Sequence, residues 1–147
     1  MNEDASAVHV RSLAERGLPA AYAVLRELRT HLTWELFLER LARQQRAYGY
    51  RLFGAFQLGE LVGVMGMRPL ETMSRGPHLH IDDLVVSGRA RRRGVGRRLL
   101  AYAEGYAREQ GLNAVFLDSR ADAVTFYAAL GYRPHTATVM RKDFIET

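Results

Sequence analysis

The sequence predicts an α/β (α+β) fold, one mixed sheet with helices packed on it, and three observations carry that prediction. Apolar residues recur at helical spacing up to about residue 48, then at strand spacing, then at helical spacing again from about residue 95. Two apolar runs joined by a turn at Gly59 read as an antiparallel hairpin. Beyond them a strand runs through a Gly-containing turn into a helix, so strands and helices alternate rather than segregate.

Taken in order, residues 7–11 alternate apolar and polar, a short strand. Residues 18–29 place Ala21, Val24, Leu25 and Leu28 on one helical face, with Pro19 near the start, where its missing N–H costs nothing. Residues 33–48 repeat the pattern with Leu36, Phe37, Arg40, Leu41 and Gln44; Thr33 is a candidate N-cap and Gly49 the stop. Tyr50 to Leu58 and Glu60 to Arg68 form the hairpin, and 69–77, with Pro69, Gly76 and Pro77, reads as a loop. His78 to Val86 is a third long strand, 87–96 a basic turn, and Val95 to Gln110 a helix ended by Gly111. Ala114 to Asp118 is a short strand, 121–130 a helix ended by Gly131, and 136–142 a last strand.

The 147 residues suit one domain over 1–147. With 48% hydrophobic and 25% charged residues, disorder, collagen and coiled coil are excluded. No apolar run approaches the roughly 18 residues of a membrane span. Met1 to Ala7 carries Glu3 and Asp4 and no apolar core, so no signal peptide is expected. The absence of cysteine excludes disulfides, thiolate metal sites and a cysteine nucleophile, and no metal is expected. A reducing cytoplasm is the expected compartment. The net charge is +5, yet Arg89 to Arg98 holds six arginines and no acid; removing those six charges leaves the rest of the chain at −1. A bias toward arginine codons explains Arg over Lys but not this clustering. One local patch suits a local anion such as a phosphate group.

That patch lies on the strand–turn–helix Leu84 to Leu100. Helix N-terminal amides are unpaired and partially positive, glycines allow close approach, and arginines add fork geometry for phosphate. Arg follows the glycines where the Walker pattern needs Lys and Ser or Thr, and Leu99 stands where the dinucleotide fingerprint needs glycine. What is present is Arg91-x-x-Gly94-x-Gly96 after Leu84-Val85-Val86. This closely resembles the acetyl-coenzyme A signature of the GCN5-related N-acetyltransferase (GNAT) superfamily. A second match, Ala123 to Tyr132 (AVTFYAALGY), resembles that family's A-x-x-F-Y-x-x-x-G-F/Y helix.

The resemblance spans roughly residues 50–142. It implies a mostly antiparallel sheet of six to seven strands flanked by about four helices and splayed near Val86. It also implies acetyl-CoA as co-substrate. Arg91, Arg92, Arg93, Gly94, Val95, Gly96 and Arg97 would form the pyrophosphate loop, and Leu84, Val85 and Val86 would bind the pantetheine arm. Phe126 and Tyr127 would lie near the coenzyme, with Tyr127 protonating the departing thiolate. Many relatives have Asn before the Phe-Tyr helix; here the region reads Asp118-Ser119-Arg120, and Ser119 is a candidate contact.

An amine must lose a proton before or during attack. Alternation along 78–86 puts His78, His80, Asp82, Leu84 and Val86 on one face and Leu79, Ile81, Asp83 and Val85 on the other. His80 is the candidate base, with an unperturbed pKa of about 6.5, and Asp82 stands one step nearer the coenzyme. Each is otherwise an ordinary polar residue on a half-exposed strand. The resemblance implies that the 69–77 loop, with Arg68, Glu71 and Arg75 in or beside it, borders the acceptor cleft; Tyr22, Trp34 and Phe37 line that cleft or pack.

The reading is therefore an N-acetyltransferase moving acetyl from acetyl-CoA directly to a primary amine, without a cysteine carrier and without a membrane, and able to form a homodimer. Two alternatives stand beside it. One is a nucleic-acid-binding module using Arg89 to Arg98, disfavoured by the shortness of the patch and the lack of a binding motif. The other is a non-catalytic acyl-CoA-binding protein.

Overall fold

The computed structural model describes residues 7–145. The N-terminal stretch that argues against a signal peptide lies, Ala7 apart, outside them. The strands are β1 (His9–Ser12), β2 (Arg51–Gln57), β3 (Glu60–Thr72), β4 (Gly76–Val86) and β5 (Val115–Leu117); the helices are α1 (Leu18–Leu28), α2 (Trp34–Tyr48), α3 (Val95–Glu109) and α4 (Val124–Ala129). Neighbouring strands follow chain order, β1 to β5. The first three pairings are antiparallel, and β4 to β5, joined through α3, is parallel.

Local signals set most boundaries. Thr33 caps α2, its Oγ1 accepting from Leu36 N at 3.1 Å, and Gly49 closes the helix at φ 67°. Two apolar layers flank the sheet. One joins it to α3 through Phe53, Met65, Leu79, Val95, Leu99 and Leu100, with Tyr127 and Leu130 packed against it. The other joins it to α1 and α2 through Val24, Leu25, Phe37, Leu41, Val64 and Val85.

Three expectations are corrected. Residues 69–77 are not a loop: β3 and β4 pair through Thr72 and Gly76, leaving a turn of three residues. The prolines are tolerated for a geometric reason. Leu79 N donates to Ala114 O and Asn113 N donates to Pro77 O, so residues 77 and 79 turn their backbone groups away from β3. Their cross-strand partners, Glu71 and Pro69, turn away likewise. Neither proline removes a bond from the hairpin ladder.

The described residues form five strands, not six to seven, because 136–142 is irregular. The edge offered by β5 is three residues long, a short template for a seven-residue strand. Val139, Met140, Phe144 and Ile145 remain exposed.

The alternation along β4 breaks. Gly66 pairs with Asp83 and Met67 with Ile81, so Asp82 is an extra residue in a β-bulge. Leu84 and Val86 therefore share the α3 side with Leu79 and Ile81, while Val85 faces α1 and α2. Opposite the bulge, a Cβ at Gly66 would overlap the Tyr50 hydroxyl, which donates to Asp83 Oδ2 at 2.8 Å.

Candidate active site

The bulge sorts the two acids. Asp82 accepts from Arg68 Nε at 2.8 Å. Asp83 accepts from Tyr50 Oη and, at 3.4 Å, from Arg29 Nε and Nη2. Burial, reinforced by the Asp83 charge, pushes the Tyr50 phenol well above its ordinary range, so it remains a donor. Asp82 and Asp83 both line a cavity of about 600 Å³ between α1, α2 and the sheet. Arg68 and Phe37 line it too, whereas Trp34 packs its ring on Tyr22 and Phe37, at 5.5 and 5.7 Å between centroids. Glu71 and Arg75 do not line this cavity; the Arg75 guanidinium lies over the Phe116 ring at 4.3 Å.

His80 Nε2 lies 3.8 Å from Asp82 Oδ1 and 4.0 Å from Asp118 Oδ2. Only 13% of its side chain is exposed. Burial lowers its pKa below 6.5; Asp82 and Asp118 oppose that shift without overcoming it. The imidazole is therefore mostly neutral at pH 7 and able to accept a proton. Asp118 entered the sequence reading only as a departure from a motif.

On the other side of β4 the loop residues converge. A Cβ on Gly96 would meet Phe126 Cζ at 3.2 Å and Val86 Cγ2 at 3.6 Å, so the strand end, the loop and α4 meet at this glycine. Gly94 is the N-cap of α3 at φ 76° and provides no side-chain cap, and Arg92 also has positive φ, 65°. The amides of Val95, Gly96 and Arg97 precede the first intrahelical bond, Arg98 N to Gly94 O at 3.1 Å. β5 pairs with β4 only at Leu79 to Ile81. The backbone of Leu84 to Val86 thus has no strand beside it on that side among the described residues.

The arginine patch divides. Arg89 donates to Leu61 O at 2.9 Å, Arg93 to Gln57 Oε1 at 3.4 Å and Arg98 to Val8 O at 3.4 Å. Arg91, Arg92 and Arg97 are exposed and make no hydrogen bond or ion pair among the described residues. Three unspent guanidiniums suit a compact phosphate better than a long polyanion. The loop entry is held by Glu27, which accepts from Ser87 Oγ at 3.1 Å and from Gly88 N at 2.8 Å. Sequence reasoning missed Glu27, 60 residues away from Ser87.

Tyr127 is half-buried, its ring 5.2 Å from Phe126 and 6.0 Å from Tyr132. Burial raises its pKa above 10. Tyr132 Oη donates to Glu104 Oε2 at 2.8 Å, which with burial holds that phenol far above its ordinary range. Ser119 and Tyr127 both line a groove between β5 and α4, and Ser119 Oγ donates to Arg120 O at 2.8 Å.

A family model, the acetyltransferase (GNAT) family, matches residues 13–132. The chain belongs to the GNAT family. It is 36% identical over 124 residues to the uncharacterized N-acetyltransferase YhdJ of Bacillus subtilis, covering 82% of this chain and 87% of that protein. It is 30% identical over 102 residues to a glucosamine 6-phosphate N-acetyltransferase of Trypanosoma brucei brucei, covering 67% and 69%. The crystal structure of a Trypanosoma brucei acetyltransferase superposes with a TM-score of 0.78 at 27% identity, over 94% of this chain and all of that one. The protein is thus a GNAT acetyltransferase, of a family that uses acetyl-CoA as co-substrate. No helix among the described residues is long and apolar enough to cross a membrane, and none of their His, Asp or Glu side chains gather as a metal-ligand set.

The loop fits this co-substrate. An uncapped helix N-terminus, three unspent arginines and an open β4 edge lie in sequence along one path, matching an anionic pyrophosphate followed by an extended amide-containing arm.

Proposed function

We propose that this GNAT acetyltransferase transfers acetyl from acetyl-CoA directly to a primary amine, with His80 and Asp82 at the amine and Tyr127 at the departing sulfur. The observation that carries this is a half-buried imidazole on β4, beside two carboxylates and a few residues before the unpaired Leu84 to Val86 edge, together with a half-buried phenol on α4. His80 is neutral and Tyr127 protonated at pH 7.

When bound, acetyl-CoA supplies a thioester whose carbonyl carbon the amine attacks. Amides of Val95, Gly96 and Arg97, with Arg91, Arg92 and Arg97 side chains, hold its phosphates. Arg93 and Gly94 shape that loop, and Leu84 to Val86 bond the arm. Phe126 backs Gly96, and Ser119 shares a groove with Tyr127. His80 removes the amine proton, directly or through one water, as the C–N bond forms. Asp82, held by Arg68, keeps a negative charge beside the resulting imidazolium. Tyr127 donates its proton as the C–S bond breaks, so free thiol leaves.

The base must be neutral to act, so the pH dependence has a definite sign. For wild type, kcat/KM falls as pH drops through the His80 pKa, which lies below 6.5. His80→Gln is expected to lower kcat/KM about 100-fold and to lack that limb. The amine's own titration affects both proteins equally, so the ratio between them isolates His80. Thiol release across an amine panel from pH 5 to 8 measures it; a ratio independent of pH removes His80 from the base role.

We further propose that residues 1–147 work as one domain in the reducing cytoplasm, which the absence of cysteine supports. Four exposed apolar side chains in the tail, Val139, Met140, Phe144 and Ile145, support a homodimer. Sedimentation is expected to give twice the chain mass of 16.6 kDa; a monomer at 100 μM would sink that part.

A further inference from the structure

We propose that the acceptor is a small amine that also carries an anionic group, and that Arg40 binds that group in the cavity between α1, α2 and the sheet. This rests on the acetyltransferase reading and names the class of its second substrate. The cavity has about 600 Å³, room for a small molecule. Its β wall presents Asp82 and Asp83, already matched by arginines: Arg68 with Asp82 at 2.8 Å and Arg29 with Asp83 at 3.4 Å. Its α2 wall presents Arg40.

Arg40 is left over by the sequence of its own helix. Its neighbours one turn away are Leu36, Phe37, Arg43 and Gln44, none of them acidic. The acid next to it, Glu39, pairs with Arg43 instead. Arg40 makes no ion pair among the described residues. It interrupts the apolar stripe of Phe37 and Leu41 and lines the cavity with them. His31, on the α1–α2 connection, lines the same space. The cavity is thus polarised. Carboxylates lie at the bulge, next to Leu84 and the transfer site, and an unspent guanidinium lies on the helical wall. With both acids matched, Arg40 is the charge left for a ligand; an amine that reaches the transfer site beside the bulge while its anionic group meets Arg40 is a zwitterionic amine. A planar guanidinium fork suits carboxylate and phosphate alike.

The test uses paired probes differing only in the anion: O-phosphoethanolamine against ethanolamine, and 4-aminobutyrate against butylamine. Each is titrated calorimetrically into protein saturated with coenzyme A, which occupies the arginine loop. The anionic member of at least one pair is expected to bind about 10-fold more tightly, and the responsive pair distinguishes phosphate from carboxylate. Arg40→Gln is expected to bring that ratio near one, with Arg40→Lys recovering part of it and all three proteins melting alike. Equal binding within both pairs, or a preference that Arg40→Gln retains, overturns the proposal. Failure of coenzyme A to bind would count against the acetyltransferase reading separately. The same titrations on the free protein, wild type against Arg40→Gln, then still decide the acceptor class.

Discussion

Changing Gly94 and Gly96 together to valine is expected to weaken acetyl-CoA binding at least about 100-fold while leaving a folded protein. The two glycines fail for different reasons. Gly94 sits at φ 76° with open space around it, so any side chain is accommodated sterically but strains the backbone by roughly 1–2 kcal/mol. Relaxing that strain rotates the amides that begin α3. Gly96 has ordinary φ but no room: a Cβ already lies 3.2 Å from Phe126 Cζ, and the valine methyls would displace Phe126 or Val86. Val86 belongs to the strand end proposed to bind the pantetheine arm, and Phe126 backs Gly96. Gly94→Ala therefore isolates amide orientation and Gly96→Val isolates space. Calorimetry with acetyl-CoA on both singles and the double, with melting curves as control, measures the effect. Micromolar binding by a folded double variant would remove the loop from the coenzyme site.

What the sequence revealed follows the range of the interactions. Thr33 and Gly49 each act within one helical turn, and the structure shows the cap and the left-handed stop where the local pattern puts them. The hairpin around Gly59 is equally local. The bulge at Asp82 is not. Opposite it, Gly66 on β3 leaves room for the hydroxyl of Tyr50, the residue before β2, to reach the Asp83 carboxylate, an arrangement that no single strand's pattern encodes. Strict alternation therefore assigned Leu84 and Val86 to the wrong face. Prolines 69 and 77 misled in the same way, because which ladder bond a proline removes depends on the register of its partner.

The candidate site divides along the same line. The coenzyme half is contiguous, so Arg91, Gly94 and Gly96 were readable as a motif. The cavity proposed for the acceptor is assembled from the end of α1, one face of α2, and the bulge. Arg29 meets Asp83 across 54 residues and Glu27 meets Ser87 across 60. Such pairs leave no local pattern, and Arg40 read only as one more residue of the helical repeat in α2.

Tyr127→Phe is expected to lower kcat about 100-fold and leave the KM for acetyl-CoA nearly unchanged. The ring, which packs against Phe126, Tyr132 and the apolar layer on α3, stays; only the hydroxyl goes. Burial raises the Tyr127 pKa above 10, so the phenol remains a donor throughout the neutral range and no loss from its ionisation is expected below pH 10. Tyr132→Phe is the matched control. Its hydroxyl is already committed to Glu104 at 2.8 Å, so that variant is expected to lose about 1 kcal/mol of stability and little kcat. Steady-state rates of thiol release and melting curves on both variants separate the two roles. Should both variants lose the same small fraction of kcat, the two tyrosines are equivalent packing groups. The leaving thiolate would then take its proton from solvent, and the Phe-Tyr pair of α4 would serve only to floor Gly96.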